Sequence, residues 1–425
     1  MQKRGSFLKW GFVMSLACLA IALAGLSLMN YTAGQKVTKM REEILKAGNP
    51  IHLKDLYQDG VPDQDNAYIE FQKWKEGIKA ADNSVSGNTN EQLPFLSKAV
   101  LSPEDLTELK AIMAPHQPMI DELIQAGDKK QLRIPVQMDK IEGVLQEILD
   151  RSQEFRSIAR VLSANVRLKI AQGKQEEAMA SAIAILKWSQ LIARQPTMVS
   201  YLVATAVRGI GIHYAAEVLY AGPINEASLK SLEDILISFD TNAQWKNVIY
   251  SEIPFFVDVF HPTVPVATRH LWFSLQSEAD YLYTMKTVAE KQLVQDGVFV
   301  NVMPGKESDF GKSWMFASVL PAINATQEAT KRVDAQTRCL LALLQWRRQG
   351  GKATEIKELN LNGAWAKDPY DGGSLRFQAS EFGPVLYLTG NNRVDDGGGK
   401  AIMGQQKDVG IMPMAKQAQL AAEEN

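Results

Sequence analysis

The chain has 425 residues, 46% of them hydrophobic, and its 46 Lys plus Arg nearly balance 48 Asp plus Glu. That length suits a globular protein with a substantial core, and the balanced charge leaves no electrostatic footprint for nucleic acid. Two widely spaced cysteines, Cys18 and Cys339, exclude a disulfide framework.

The N-terminus reads first as a basic leader with Lys3, Arg4 and Lys9, then as "GFVMSLACLAIALAGLSLM" over residues 11–29 without a charge. As a helix this run spans about 30 Å, the thickness of a bilayer core. Trp10 and Tyr31 flank it where amphipathic rings favour the interface, so residues 10–31 are expected to contact the membrane. "ALAG" offers a signal-peptide cleavage site, but the apolar run continues to Met29, which favours an uncleaved anchor. "SLAC" is a poor lipidation signal. A short basic leader before an apolar run places the body on the extracytoplasmic side of the cytoplasmic membrane, although Lys36, Lys39 and Arg41 nearly match the leader's charge.

Residues 35–330 read as a helical domain. "FRSIARVLSANVRLKIAQ" aligns Phe155, Ile158, Leu162, Val166 and Ile170 on one face. After Gly173, Ala178, Ala182, Ile185 and Ile192 form a second face, giving an antiparallel helical hairpin. One tetratricopeptide-like turn is present without a second copy at that period. "PTMVSYLVATAVRGIGIHYAAEVLYAG" is long enough to cross a bilayer, but a central Arg208 suits a core helix better. Pro196 is expected at its first position, with Gly222 at its end.

His213 and Glu217 lie four apart and share a face of that helix, with Arg208 earlier, so they form the candidate catalytic cluster. A satisfied buried polar cluster is the competing reading. His261 and His270 lack a trustworthy ligand spacing, and His52 and His116 stand alone. HExxH, GxSxG and CxxC are absent. "GKESDFGKS" misses the phosphate-loop spacing by one residue, so no nucleotide partner is expected. The preceding "GVFVNVMPG" reads as a short strand.

Past residue 330 the pattern changes. A helix carrying Val333, Leu340, Leu343, Leu344 and Trp346 ends at Gly350 and Gly351. A "DPYDGG" turn follows, then "SLRFQ" and "VLYL", which pair as a hairpin, then the acidic "NNRVDDGGGK". This order resembles the C-terminal part of the major pseudopilins of type II secretion systems, and similar tails of uncharacterised anchored bacterial proteins. The matching residues within 333–411 are Asp368, Pro369, Tyr370, Gly372, Leu375, Arg376, Phe377, Leu386, Tyr387, Gly390, Asp395, Asp396, Gly397, Gly398, Asp408 and Val409. The resemblance implies calcium at the loop after the hairpin, held by the Thr389 carbonyl and by Asn392, Asp395, Asp396 and Asp408. Asn392 is neutral where that family has an acid, and Arg393 replaces a glycine. A solvated turn is the alternative. The prepilin cleavage pattern is missing: neither Gly5 nor Gly11 is followed by a glutamate at the fifth position.

The expected fold is mainly α: a transmembrane helix (1–34), an extracytoplasmic helical bundle (35–330) and a small C-terminal α+β module with a β-hairpin (331–425). The expected function is non-enzymatic binding or scaffolding among unidentified envelope or secretion proteins. A hydrolase-like enzyme with a site near His213 and Glu217 is the alternative. Exposed aromatics such as Trp188, Trp272 or Trp314 would favour binding, and stacked helix pairs would favour a peptide-binding repeat.

Overall fold

The computed structural model describes residues 3–57, 60–86, 95–96, 98, 100–135, 141–263, 265–303, 313–361, 363–399, 402 and 407–423. All of the near-miss phosphate loop except Ser313 lies outside them. The chain is mainly helical, in chain order α1 (Lys3–Lys46), α2 (Ala67–Ser86), α3 (Pro103–Met113), α4 (Gln117–Ala126), α5 (Ile141–Ala171), α6 (Gln175–Ala193), α7 (Met198–Ala221) and α8 (Glu226–Ile237). Then come α9 (Thr241–Phe255), α10 (Trp272–Glu290), a two-strand hairpin of β1 (Val294–Gln295) and β2 (Val298–Phe299), and α11 (Trp314–Arg348). The chain closes with β3 (Arg376–Gln378), β4 (Val385–Leu388), β5 (Val409–Ile411) and α12 (Met414–Ala422).

Two compact units result. The first comprises Met1–Tyr57, Ile249–Lys291 and Met303–Ile323, and the second comprises Gln58–Val248, Gln292–Val302 and Asn324–Asn425. Residues 330 and 331 fall inside α11, which runs without a break from Trp314.

In the first unit α1 is one uninterrupted helix with two unlike halves. Residues 13–29 are exposed on every face, whereas Ala33, Val37 and Ile44 are buried. Their helical spacing turns one stripe onto α10, where Ala279, Leu282, Met285 and Ala289 are buried in turn. Cross-links reinforce the pair: Lys36 donates to Gln276, Arg41 reaches the buried Glu278, and Lys286 meets Glu43 at 2.8 Å. The partner numbers rise together, so α1 and α10 run parallel. Tyr281 stacks on Phe256 with ring centroids 3.9 Å apart, and Met315 and Phe316 at the start of α11 complete this core.

The second unit is built on α5, α6 and α7. The expected hairpin is present: Phe155, Ile158, Leu162, Val166, Ala178, Ala182, Ile185 and Ile192 are fully buried. Gly173 takes φ of 70°, which lets Lys174 donate back to the Lys169 carbonyl and close α5. On one side α2, α3 and α4 bring Phe71, Ile78, Leu109 and Leu123 against this layer. On the other, α8, α11, the Asp-Pro-Tyr turn and the C-terminal sheet add Leu232, Leu340, Leu344, Tyr370, Leu386 and Ile411. Trp188 is buried, donating from Nε1 to the Leu123 carbonyl at 2.8 Å, so it lines no surface groove.

Helix α7 is also long and apolar enough to cross a membrane, but most of it is buried, as a core helix requires. It begins at Met198 rather than Pro196, because the Thr197 hydroxyl caps it by accepting from the Ser200 amide at 3.0 Å. Within the described part of "GVFVNVMPG", Val298–Phe299 pair with Val294–Gln295 and the Val300 amide donates to the Leu293 carbonyl at 3.0 Å.

The hairpin of β3 and β4 has the expected partners, Phe377 opposite Leu386. A third strand, which the sequence pattern does not signal, joins them: β5 pairs antiparallel with β4, Leu386 opposite Ile411 and Leu388 opposite Val409. Central position explains why "VLYL" is a continuous apolar run, for all four residues are buried. Gly410 sits opposite Tyr387, and a Cβ there would come 2.3 Å from the Leu386 carbonyl oxygen, so only glycine fits.

Candidate functional site

The C-terminal module is organised by buried charge. Asp368, fully buried, accepts at Oδ1 from the Tyr370 amide (2.8 Å) and at Oδ2 from the Thr389 amide (2.7 Å) and hydroxyl (3.0 Å). Arg376 on β3 spreads its guanidinium over three acids: Nη1 to Asp368 at 2.6 Å, Nη2 to Asp371 at 2.7 Å and Nε to Asp395 at 3.0 Å. The Asp-Pro-Tyr turn, the hairpin and the acidic loop are thereby tied to one side chain. Planar Arg is suited to this and Lys is not.

The five residues that the pseudopilin resemblance singles out are not equivalent. Asp408, with 2% of its surface exposed, accepts from the amides of Gly398 (2.7 Å) and Asp396 (3.3 Å). Burial raises its carboxyl above the ordinary range against the pull of those amides, and the charges of Asp395 and Asp396 act in the same direction as burial. Asn392 donates to the Asp396 carboxylate at 2.7 Å, so Asn392, Asp396 and Asp408 lie in one hydrogen-bonded chain. Asp395 is turned to Arg376 and the Gly397 amide, and Thr389 turns its donors to Asp368. Among the described residues no group of three or more His, Cys, Asp or Glu side chains converges as a metal site. A calcium ion needs six to eight oxygens. To join such a shell, Asp395 would have to exchange Arg376 for the ion, and Asn392, Asp396 and Asp408 would have to turn oxygens that now serve hydrogen bonds. Arg393 adopts φ of 56°, the left-handed conformation a glycine takes without cost.

The His213–Glu217 pair is separated in task. His213 lines a small cavity of about 120 Å³ with Gly209, Ile212, Gln336, Gly410 and Met412, and Glu217 is not on its wall. Burial, helped by the charge of Arg167, lowers the His213 ring to about 4, so it is neutral near pH 7. Glu217 accepts from the Met414 amide at 3.2 Å, the first N–H of α12, and so serves that helix as an external cap. A cavity of this size is well below the roughly 300 Å³ or more typical of ligand sites.

Burial raises the Glu217 carboxyl to about 7 from an ordinary 4.5. The unfolded chain therefore ionises first as pH rises, and stability is lost between about 4.5 and 7, by a few kcal/mol at most. Glu217→Gln keeps an acceptor for Met414 without the charge. Its urea midpoint is expected to match the parent near pH 4.5 and to exceed it at pH 8. Parallel pH curves for the two proteins would refute this assignment.

Arg208 is held in the core by one of its terminal nitrogens and by an aromatic face, while its buried Nε has no hydrogen-bond partner among the described residues. It donates to the Thr337 hydroxyl at 2.7 Å and lies 3.6 Å from the centre of the Phe239 ring, while burial lowers it to about 10. Among the histidines, His52 is not alone: its Nδ1 is 2.8 Å from Asp258, which also accepts from the Leu53 amide. His261 Nε2 stands 3.4 Å from Glu278, and His270 is exposed. Sequence reasoning missed the three-acid role of Arg376, whose partners lie on separate turns. The alternating "SLRFQ" pattern signalled only which face the arginine would take. No protein-family model, curated protein or solved structure matches the chain.

Proposed function

We propose that this chain is a membrane-anchored protein whose body works by binding other envelope components on the extracytoplasmic side. The observation that carries this reading is the divided α1: a bare apolar half of bilayer length continues, without a break, into a half packed on α10. A free apolar helix in water would leave its whole surface unsatisfied, and a bilayer supplies the missing cover. Non-enzymatic binding fits a pair of titratable groups, His213 and Glu217, whose side chains serve a small cavity and a helix end instead of meeting. Calcium at Asn392, Asp396 and Asp408 is part of the same reading, supported by the hydrogen-bonded chain that gathers these three side chains on one loop with Asp408 buried at its base.

One experiment addresses both claims. Spheroplasts of a bacterial host expressing the full chain are treated with trypsin, with and without added calcium. Cleavage of the body in intact spheroplasts, with a carbonate-resistant N-terminal fragment left in the membrane, is the expected result. Calcium is expected to slow cleavage after Arg393 in the parent and not in Asp408→Ala. Protection of the whole body until lysis would reverse the orientation. An unchanged rate after Arg393 would remove calcium.

A further inference from the structure

The first unit leaves several large apolar side chains uncovered around the start of α10 and at the start of α11. Val266 is 70% exposed, Trp272 37%, Phe273 44% and Trp314 47%, with Leu271 beside them at 36%. Val266 lies on the single helical turn Val266–Arg269, Leu271 caps α10, and Trp314 opens α11. Ser313 donates to the Ser277 carbonyl at 2.8 Å, which sets the start of α11 beside the first turns of α10.

The height of Trp272 along α1 follows from the register. Lys36 reaches Gln276, and the two helices run parallel. One turn back, about 6 Å, leads from Gln276 to Trp272 on α10 and from Lys36 to Thr32 on α1. Trp272 therefore stands level with Tyr31 and Thr32, where the bare apolar half of α1 ends. A bilayer spanned by α1 brings its headgroup region to this level without any movement of the unit.

We propose that Val266, Leu271, Trp272, Phe273 and Trp314 form a second membrane contact, seated in the interfacial region of the leaflet from which α1 emerges. The inference rests on the anchor reading above. Indole rings prefer this layer, with the ring body in the acyl boundary and the N–H among headgroups. Trp272 and Phe273 pack edge to face at 6.2 Å and present two adjacent aromatic surfaces. The exposed His270 beside them keeps a polar group at the rim. A single helix leaves the body free to tilt and spin, and a second contact fixes which face of the unit points away from the membrane.

The test uses the full chain in vesicles of zwitterionic and anionic phospholipid. Cys18→Ala removes the exposed thiol, and Cys339 stays because it is fully buried. Spin labels are placed singly through Trp272→Cys, Leu23→Cys in the apolar half of α1, and Leu45→Cys, exposed beyond it. Collision with oxygen and with a water-soluble nickel chelate reports depth. Labels at 23 and 272 are expected to favour oxygen severalfold more than the label at 45, with 272 shallower than 23. A lipid-embedded label at 23 with 272 as open to nickel as 45 overturns the second contact and leaves the anchor standing. Shielding of 272 from both reagents overturns it in favour of a protein surface, a second copy included. Nickel access at 23 overturns the anchor and the patch together.

Discussion

Arg338→Met is expected to lower the stability of the second unit by about 3–5 kcal/mol, the range for breaking a buried ion pair from one side. Arg338 on α11 is 2% exposed. Its Nε donates to Asp334 at 3.0 Å, and its Nη1 reaches the carbonyls of Gly297 (2.7 Å), Ala364 (2.9 Å) and Lys367 (3.1 Å). One guanidinium thus joins the tip of the β1–β2 hairpin and the short helical turn before the Asp-Pro-Tyr segment to α11. Methionine fills the volume but leaves three carbonyls without that donor, while Asp334 keeps the bond from the Thr241 hydroxyl. The urea midpoint of the purified full chain in detergent reads the effect. The double variant Asp334→Leu/Arg338→Met is expected to recover part of the loss, since it removes the stranded charge. A single variant within about 1 kcal/mol of the parent would show that water replaces the arginine at little cost.

Asp368→Ala is expected to cost a similar amount, about 3–5 kcal/mol, and to loosen the C-terminal module in particular. The change strands two amides, the Thr389 hydroxyl and one arm of Arg376 in a region from which water is excluded. Asp368→Asn retains one acceptor oxygen and removes the charge, so a loss of about 1–3 kcal/mol is expected. Hydrogen exchange at the Tyr370 and Thr389 amides separates this from a general loss of stability. Those two amides should exchange faster in Asp368→Ala than its lower global stability explains. Protection equal to that of neighbouring strand amides would refute the role given to this carboxylate.

Much of the helical architecture was legible because its signals are local. Hydrophobic spacing placed the faces of α5 and α6, and Gly173 marked the turn between them, since burial recurs every three to four residues along a packed helix. The β3–β4 pairing was legible for the same reason, two short β-prone runs joined by a brief connection. The third strand was not: "VGI" at residues 409–411 is too short to stand out, and it becomes a strand only by finding β4. The last helix, α12, is held by a tertiary contact, with Leu420 buried beside Val385, Tyr387 and Met412.

The candidate site shows the same division more sharply. Sequence spacing placed His213 and Glu217 on one helical face, yet a shared face does not make a shared task. The end of α12 claims Glu217, and a small cavity takes His213. His52 looked solitary because its partner, Asp258, is distant in the chain. Arg376 gave no hint of binding Asp368, Asp371 and Asp395 together.

The sequence by itself determined the apolar length of α1, the helical character of the body and the glycines that end its helices. Each follows from neighbouring residues that share one helix or one turn. Only the tertiary structure decided that half of α1 is bare while half is packed, that β4 is central, and which acids Arg376 and Arg338 neutralise. Those outcomes depend on which distant segments exclude water together. Burial of a charge is tolerated only where the fold brings its partner, and a local pattern does not carry that information.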